Sequence, residues 1–154
     1  YSKTELSSSK YADCLKSAHV VLTTKSKTVA DCLDEIWQRY GFHGTRQISV
    51  RTTSTSDIAR VLGRFREAMP QSIADYPVTS FDDLEKPSGT LPPTNGVRFF
   101  LDQRIRVIVR PSGTEPKIKC YLEVVEGGEL VAAKKRATEV LDKVEAALRA
   151  LMTA

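Results

Sequence analysis

Near the C-terminus, Leu130, Ala133, Ala137, Val140, Leu141, Val144, Leu148 and Leu151 recur at intervals of three and four. That spacing puts them on one face of a helix and predicts one over residues 129–152. Just upstream the period changes to two. Ile118, Cys120, Leu122 and Val124 alternate with Lys117, Lys119, Tyr121 and Glu123, the signature of a half-buried strand. Gly127-Gly128 ends it. Two further runs, 97–101 and 105–109, read as strands joined in a hairpin across Asp102-Gln103-Arg104. Residues 47–53 alternate and predict another strand, with 42–46 as a connector before it. Thr28 caps a helix whose apolar stripe is Val29, Leu33, Ile36, Trp37 and Tyr40, and Gly41 stops it. Ser56 or Asp57 caps a second helix, with Ile58, Val61, Leu62 and Phe65 inward and Pro70 as its stop. Tyr11, Cys14, Leu15, Ala18 and Leu22 outline a helix over 8–22. Residues 70–96 carry five prolines and two glycines and read as loop, with a short edge strand near 78–84.

These elements define an α+β layer architecture: a four-stranded, mainly antiparallel sheet with two helices on one face, preceded by a helical segment. At 154 residues the chain buries one good core. Its 41% hydrophobic and 27% charged content is that of a soluble globular protein. The formal net charge of +4 suits an anionic ligand and does not by itself indicate nucleic acid. Cys14, Cys32 and Cys120 show no CxxC spacing, which favours reduced thiols in a cytoplasmic protein over a disulfide framework. No apolar run reaches the length of a membrane span and no signal peptide is visible. A first residue of Tyr1 rather than methionine points to a piece of a longer protein.

The candidate chemistry lies between the strands at 105–109 and 118–125. Arg110-Pro111-Ser112-Gly113-Thr114-Glu115-Pro116-Lys117 gathers a guanidinium, two hydroxyls, a glycine and an ammonium into eight residues. Arg110 can give two parallel hydrogen bonds to phosphate oxygens. Gly113 would let the backbone adopt positive φ and turn its N–H groups toward an anion. Ser112 and Thr114 add hydroxyl donors, and the two prolines stiffen both flanks. An ordinary hairpin loop also contains Ser, Gly and Pro, but has no need of Arg and Lys around Ser-Gly-Thr.

This octapeptide resembles the phosphate-binding loop of the α-D-phosphohexomutases, the phosphoglucomutase and phosphomannomutase enzymes. The likeness continues through Ile118-Lys119-Cys120-Tyr121-Leu122-Glu123 and extends over roughly residues 28–152. It implies the fourth and last domain of such an enzyme, with a TATA-binding-protein-like fold over residues 42–154. Residues 1–41 would then be the tail of the preceding sugar-binding domain. It also implies that Arg110, Ser112, Gly113, Thr114 and Lys117 hold the phosphate of a sugar phosphate, with Lys117 as a secondary cation. The intact enzyme would interconvert hexose 1-phosphate and hexose 6-phosphate with Mg²⁺ and a hexose bisphosphate activator. The family's phosphoserine, metal and sugar loops are not in this sequence. The fragment is therefore expected to bind neither cofactor, to carry no catalytic or metal residue, and to be inactive without its missing N-terminal domains. Neither nucleic acid nor membrane is an expected partner.

Other residues invite chemistry less strongly. His43, beside Gly44 and Arg46, is a candidate ligand contact, whereas His19 reads as a surface residue. Trp37 shares a face with Leu33 and Tyr40 and reads as core. Asp82-Asp83 reads as a cap or solvated turn, and Lys134-Lys135-Arg136 as a solvated helix face. The alternative function is a stand-alone anion or nucleic-acid binding module. A nucleic-acid platform would want exposed aromatics, and the strand at 117–125 offers one, Tyr121. A domain that only braces an assembly would leave the composition of residues 110–117 unexplained.

Overall fold

The computed structural model describes residues 26–86 and 92–153. The helix expected at 8–22 lies outside the described residues. The chain divides into two compact units, Tyr1–Tyr40 and Gly41–Ala154.

In the first unit, helix α1 spans Val29–Tyr40. Thr28 and Asp31 cap it reciprocally: the Thr28 N–H donates to Asp31 Oδ2 at 2.7 Å, and the Asp31 N–H donates to Thr28 Oγ1 at 3.1 Å. Lys27, just before the helix, pairs with Glu35 in its second turn. The helix buries none of its residues, and Val29, Leu33, Ile36 and Tyr40 are exposed. Trp37 is half-buried rather than core, because the stripe it shares is not covered.

The second unit begins with strand β1 (Phe42–Arg51) and helix α2 (Thr55–Glu67). Strands β2 (Ser72–Ile73), β3 (Tyr76–Asp83), β4 (Val97–Leu101), β5 (Ile105–Pro111) and β6 (Lys117–Glu126) follow, then helix α3 (Leu130–Thr153). The strands form one antiparallel sheet in the order β1-β6-β5-β4-β3-β2. It has six strands where the sequence predicts four. β3 is the short edge strand expected near 78–84, and β2 is the addition, joined to it by a turn through Ala74 and Asp75 at φ 51° and 67°. A left-handed turn without glycine gives no turn signal in the sequence. β1 also starts earlier than predicted. Residues 42–46 are strand, pairing from Phe42↔Glu126 to Arg46↔Leu122. Gly44, which marks a connector in sequence, serves packing: a Cβ there would lie 3.0 Å from the Cβ of Ala137 on α3.

One sheet face is covered by both helices. Val97, Phe99, Leu101, Ile105, Val107, Val109, Ile118, Cys120, Leu122 and Val124 alternate inward and are buried. They meet Ile58, Val61, Leu62 and Phe65 of α2, and Ala137, Val140, Leu141, Val144 and Leu148 of α3. Phe99 anchors the far half, edge-on to Phe65 at 5.4 Å and tilted against Phe81 at 5.2 Å. The cap of α2 falls earlier than predicted. Ser54 is the N-cap, and Asp57 closes a capping box with it.

Two charged motifs have structural duties the sequence did not show. Asp82 and Asp83 lie in β3 rather than in a solvated turn. Asp82 pairs with Arg98 at 2.8 Å and Asp83 with Arg66 at 3.1 Å. Arg136 is not simply part of a solvated helix face. With Arg104 it neutralises Glu126, a buried carboxylate at the end of β6. Lys135 in the same run is exposed, as a solvated helix face requires. Among the described residues no helix is long and apolar enough to cross a membrane.

Candidate functional site

The second sheet face is open. β5 contributes Arg106, Ile108 and Arg110 to it, and β6 contributes Lys117, Lys119, Tyr121 and Glu123. Arg110 sits opposite Lys119 and Ile108 opposite Tyr121. Residues 112–116 continue the β5–β6 hairpin beyond the sheet. Pro111 cannot continue the ladder as a donor, and the pairing stops there, at Pro111↔Ile118.

The stem of this loop is tied down and its tip is not. The Ser112 N–H donates to the Lys117 carbonyl at 2.8 Å, and the Lys117 N–H donates to the Glu115 carbonyl at 2.8 Å. The Pro116 carbonyl accepts from the Thr52 N–H at 2.9 Å and from Thr52 Oγ1 at 3.0 Å. Among the described residues, the N–H groups of Gly113, Thr114 and Glu115 and the hydroxyls of Ser112 and Thr114 have no hydrogen-bond partner. Five donors in four consecutive residues thus remain available to something outside the chain.

Gly113 does not take the positive φ expected of it; Gly41 and Gly128 do. A Cβ at Gly113 would meet nothing within 4 Å. Its contribution is a bare backbone that a ligand can approach closely, not a left-handed turn.

The cations around the tip are in different states. Arg110 Nη2 donates to Tyr121 Oη at 3.2 Å, and its guanidinium stands 5.5 Å from the Tyr121 ring centroid. That hydrogen bond holds the Tyr121 phenol below its ordinary range. Lys117 is paired with Glu115. The hydrogen bond from Lys117, then its charge and those of Arg51 and Lys119, hold the Glu115 carboxyl below its ordinary range. Arg51 is the member that the sequence reading missed. It ends β1 directly opposite Lys117, a neighbour set by β1–β6 register and not by any local pattern.

The structure brings Arg110, Ser112, Gly113, Thr114 and Lys117 together in one hairpin. It does not bring His43 to them. His43 lies at the other end of β1, where its Nδ1 is 3.2 Å from Glu123 Oε1 and Arg106 is 2.6 Å from Glu123 Oε2. A shallow concavity of about 400 Å³ on the open face is lined by Thr45, Gln47, Arg106, Ile108, Tyr121 and Glu123. It adjoins Arg110 only through Tyr121, and none of residues 111–117 lines it. The loop by itself therefore offers an exposed, one-sided grip.

Unpartnered donors between an arginine and a lysine are groups that can hold an anion. Family comparison makes this specific. The chain belongs to the phosphoglucomutase/phosphomannomutase C-terminal domain family, whose model matches residues 50–143. It is similar to a probable phosphomannomutase of Haemophilus influenzae, 38% identical over 102 residues that cover 66% of this chain and 20% of that protein. Two phosphoglucomutases of Staphylococcus aureus are 30% identical over 112 residues, covering 64% of this chain and 20% of each. The chain thus spans about a fifth of the length of these curated relatives.

Proposed function

We infer that this chain is the substrate-phosphate-binding part of a phosphohexomutase that interconverts hexose 1-phosphate and hexose 6-phosphate. The observation that carries the reading is the set of unpartnered donors on Ser112, Gly113, Thr114 and Glu115, set between Arg110 and Lys117. A phosphate has enough acceptor oxygens to satisfy them together, and a positive surround favours its charge. Arg110 gives a forked pair of hydrogen bonds, the Gly113 and Thr114 N–H groups and the two hydroxyls close the cradle, and Lys117 adds charge from behind Glu115.

Moving a phosphoryl group between O1 and O6 of a hexose takes two steps with the sugar reversed between them. A loop that grips whichever phosphate is not reacting supplies binding energy remote from the transferring group and orients the sugar. Mg²⁺ would neutralise the transferring phosphoryl. Among the described residues no group of three or more His, Cys, Asp or Glu could hold a metal ion. The residues here do not fit Mg²⁺, and no step on this chain runs through it. The transferring chemistry belongs to other parts of the enzyme, and α1 to the tail of the domain before this one. The two aromatics on the open face, Tyr121 and Phe100, each lie under an arginine of this chain, Arg110 and Arg98. That supports an anion module over a base-stacking platform.

The test is a titration of the chain with glucose 1-phosphate and mannose 1-phosphate. The amide signals of Ser112, Gly113 and Thr114 should move, with affinity about millimolar for a one-sided grip. The chain alone, given Mg²⁺ and hexose bisphosphate, should form no 6-phosphate. Immobile loop amides beside shifting distant ones, or turnover by the chain alone, would contradict the reading.

A further inference from the structure

We propose that Thr52 is a positioning residue for the phosphate loop, acting through the carbonyl of Pro116. The inference rests on the loop reading given above. The donors at the tip of the loop have no partner among the described residues, so their orientation is inherited from the stem. On the β6 side of that stem, Pro116 has no N–H to offer, and its carbonyl is the one polar handle on its backbone. Thr52 takes that handle twice, with its N–H at 2.9 Å and its Oγ1 at 3.0 Å. The same hydroxyl lies 3.1 Å from the Ser54 carbonyl, so its proton is shared between the loop and the turn that opens α2.

Thr52 is itself held from behind. Ser54 Oγ accepts from the Asp57 N–H at 3.2 Å, while the Asp57 carboxylate accepts from the Ser54 N–H at 3.1 Å and from the Thr53 hydroxyl at 2.5 Å. From this cap α2 runs into the core on Ile58, Val61, Leu62 and Phe65. A continuous set of contacts therefore leads from packed core through a capped helix to the loop stem. It ends one residue from the unpartnered Glu115 N–H. If the Thr52 hydroxyl is lost, the stem keeps one tie of the two, and the tip donors converge less often. More of the ordering then falls on the ligand when it binds, which weakens binding without removing any contact to the ligand itself.

The experiment is a titration of the chain with inorganic phosphate, followed at the Gly113 and Thr114 amides, for wild type, T52V, T52S, T52A and R110A. Thermal midpoints of each variant run in parallel. Valine keeps the shape and the N–H of Thr52 and loses only Oγ1; serine keeps the hydroxyl. T52V and T52A should each weaken phosphate about fivefold and lower the midpoint by no more than about a few degrees, and T52S should stay within about twofold of wild type. A purely structural role would lower the midpoint and leave the affinity of the folded protein unchanged. If T52V or T52A binds like wild type while R110A loses binding, the proposal is overturned and the loop reading stands. If R110A also binds like wild type, the loop is not the anion site and both readings fall together.

Discussion

Replacing Arg110 with alanine removes one guanidinium from the loop and leaves the rest of the hairpin intact. In the structure this group makes one protein hydrogen bond, to Tyr121 at 3.2 Å, and rests against that ring. A guanidinium carries about five N–H donors, so most remain free for a ligand. A forked, charge-assisted grip on phosphate contributes about 2–4 kcal/mol. At about 1.4 kcal/mol per tenfold, that is about 30- to 800-fold in affinity. The bond to a surface phenol contributes about 1 kcal/mol or less, so folding should be little affected. From a starting affinity of about millimolar, R110A should show no saturation with phosphate at all. In the intact enzyme the same loss should appear in kcat/KM. Arg110→Lys should recover part of it, since an ammonium cannot fork, and Lys135→Ala, on the outer face of α3, should be silent. Amide spectra recorded across the titration decide the matter. Saturation of R110A at the wild-type concentration would refute the reasoning. An equal loss in K135A would show that diffuse charge, and not a cradle, holds the anion.

Gly44→Ala should destabilise the domain by about 1–3 kcal/mol. Its Cβ would press on Ala137 at 3.0 Å and on Phe42 and Val124 at 3.3 Å. Denaturant titration measures this, and an unchanged midpoint would mean that α3 can shift freely on the sheet. Cys120 is buried, and burial pushes its thiol up from 9.0 to about 12. The neutral thiol is favoured in the fold, so its contribution is complete below pH 9.0 and is lost as pH rises toward 12. Cys120→Ala should flatten that alkaline decline, and Cys120 should resist maleimide while the half-buried Cys32 reacts.

The parts of the fold legible in sequence are those where one period runs unbroken over a buried face. In β6 the inward set Ile118, Cys120, Leu122 and Val124 is buried as its alternation requires, and α3 seats its stripe from Ala133 to Leu148. The hairpin position of residues 110–117 was legible too, since turn residues lie there between two apolar runs. What stayed hidden depends on partners distant in sequence. Gly44 looks like a break until Ala137 is placed above it. Ala74-Asp75 makes a left-handed turn with residues that rarely adopt one. Arg51 and Thr52 read as ordinary positions of the strand at 47–53, and only the β1–β6 register sets them beside Lys117 and Pro116. Trp37 erred in the other direction, because its amphipathic stripe has the pattern of a core face without being covered.

The register of β1 also bears on how the molecule comes to exist in time. Residues 111–117 lie within one hairpin, residues 105–126, whose contacts are short-range, and hairpins close in about microseconds. β1, synthesised first in this unit, has no strand to pair with until β6, the last strand, has emerged. Its docking closes the longest span between any two paired strands of the sheet. Until then β1 is an unpaired edge, and His43, Gly44, Arg46 and Arg51 make it a poor template for a second copy. The β5–β6 turn can therefore form from local contacts alone, whereas its tie from Thr52 to Pro116 needs β1 in place.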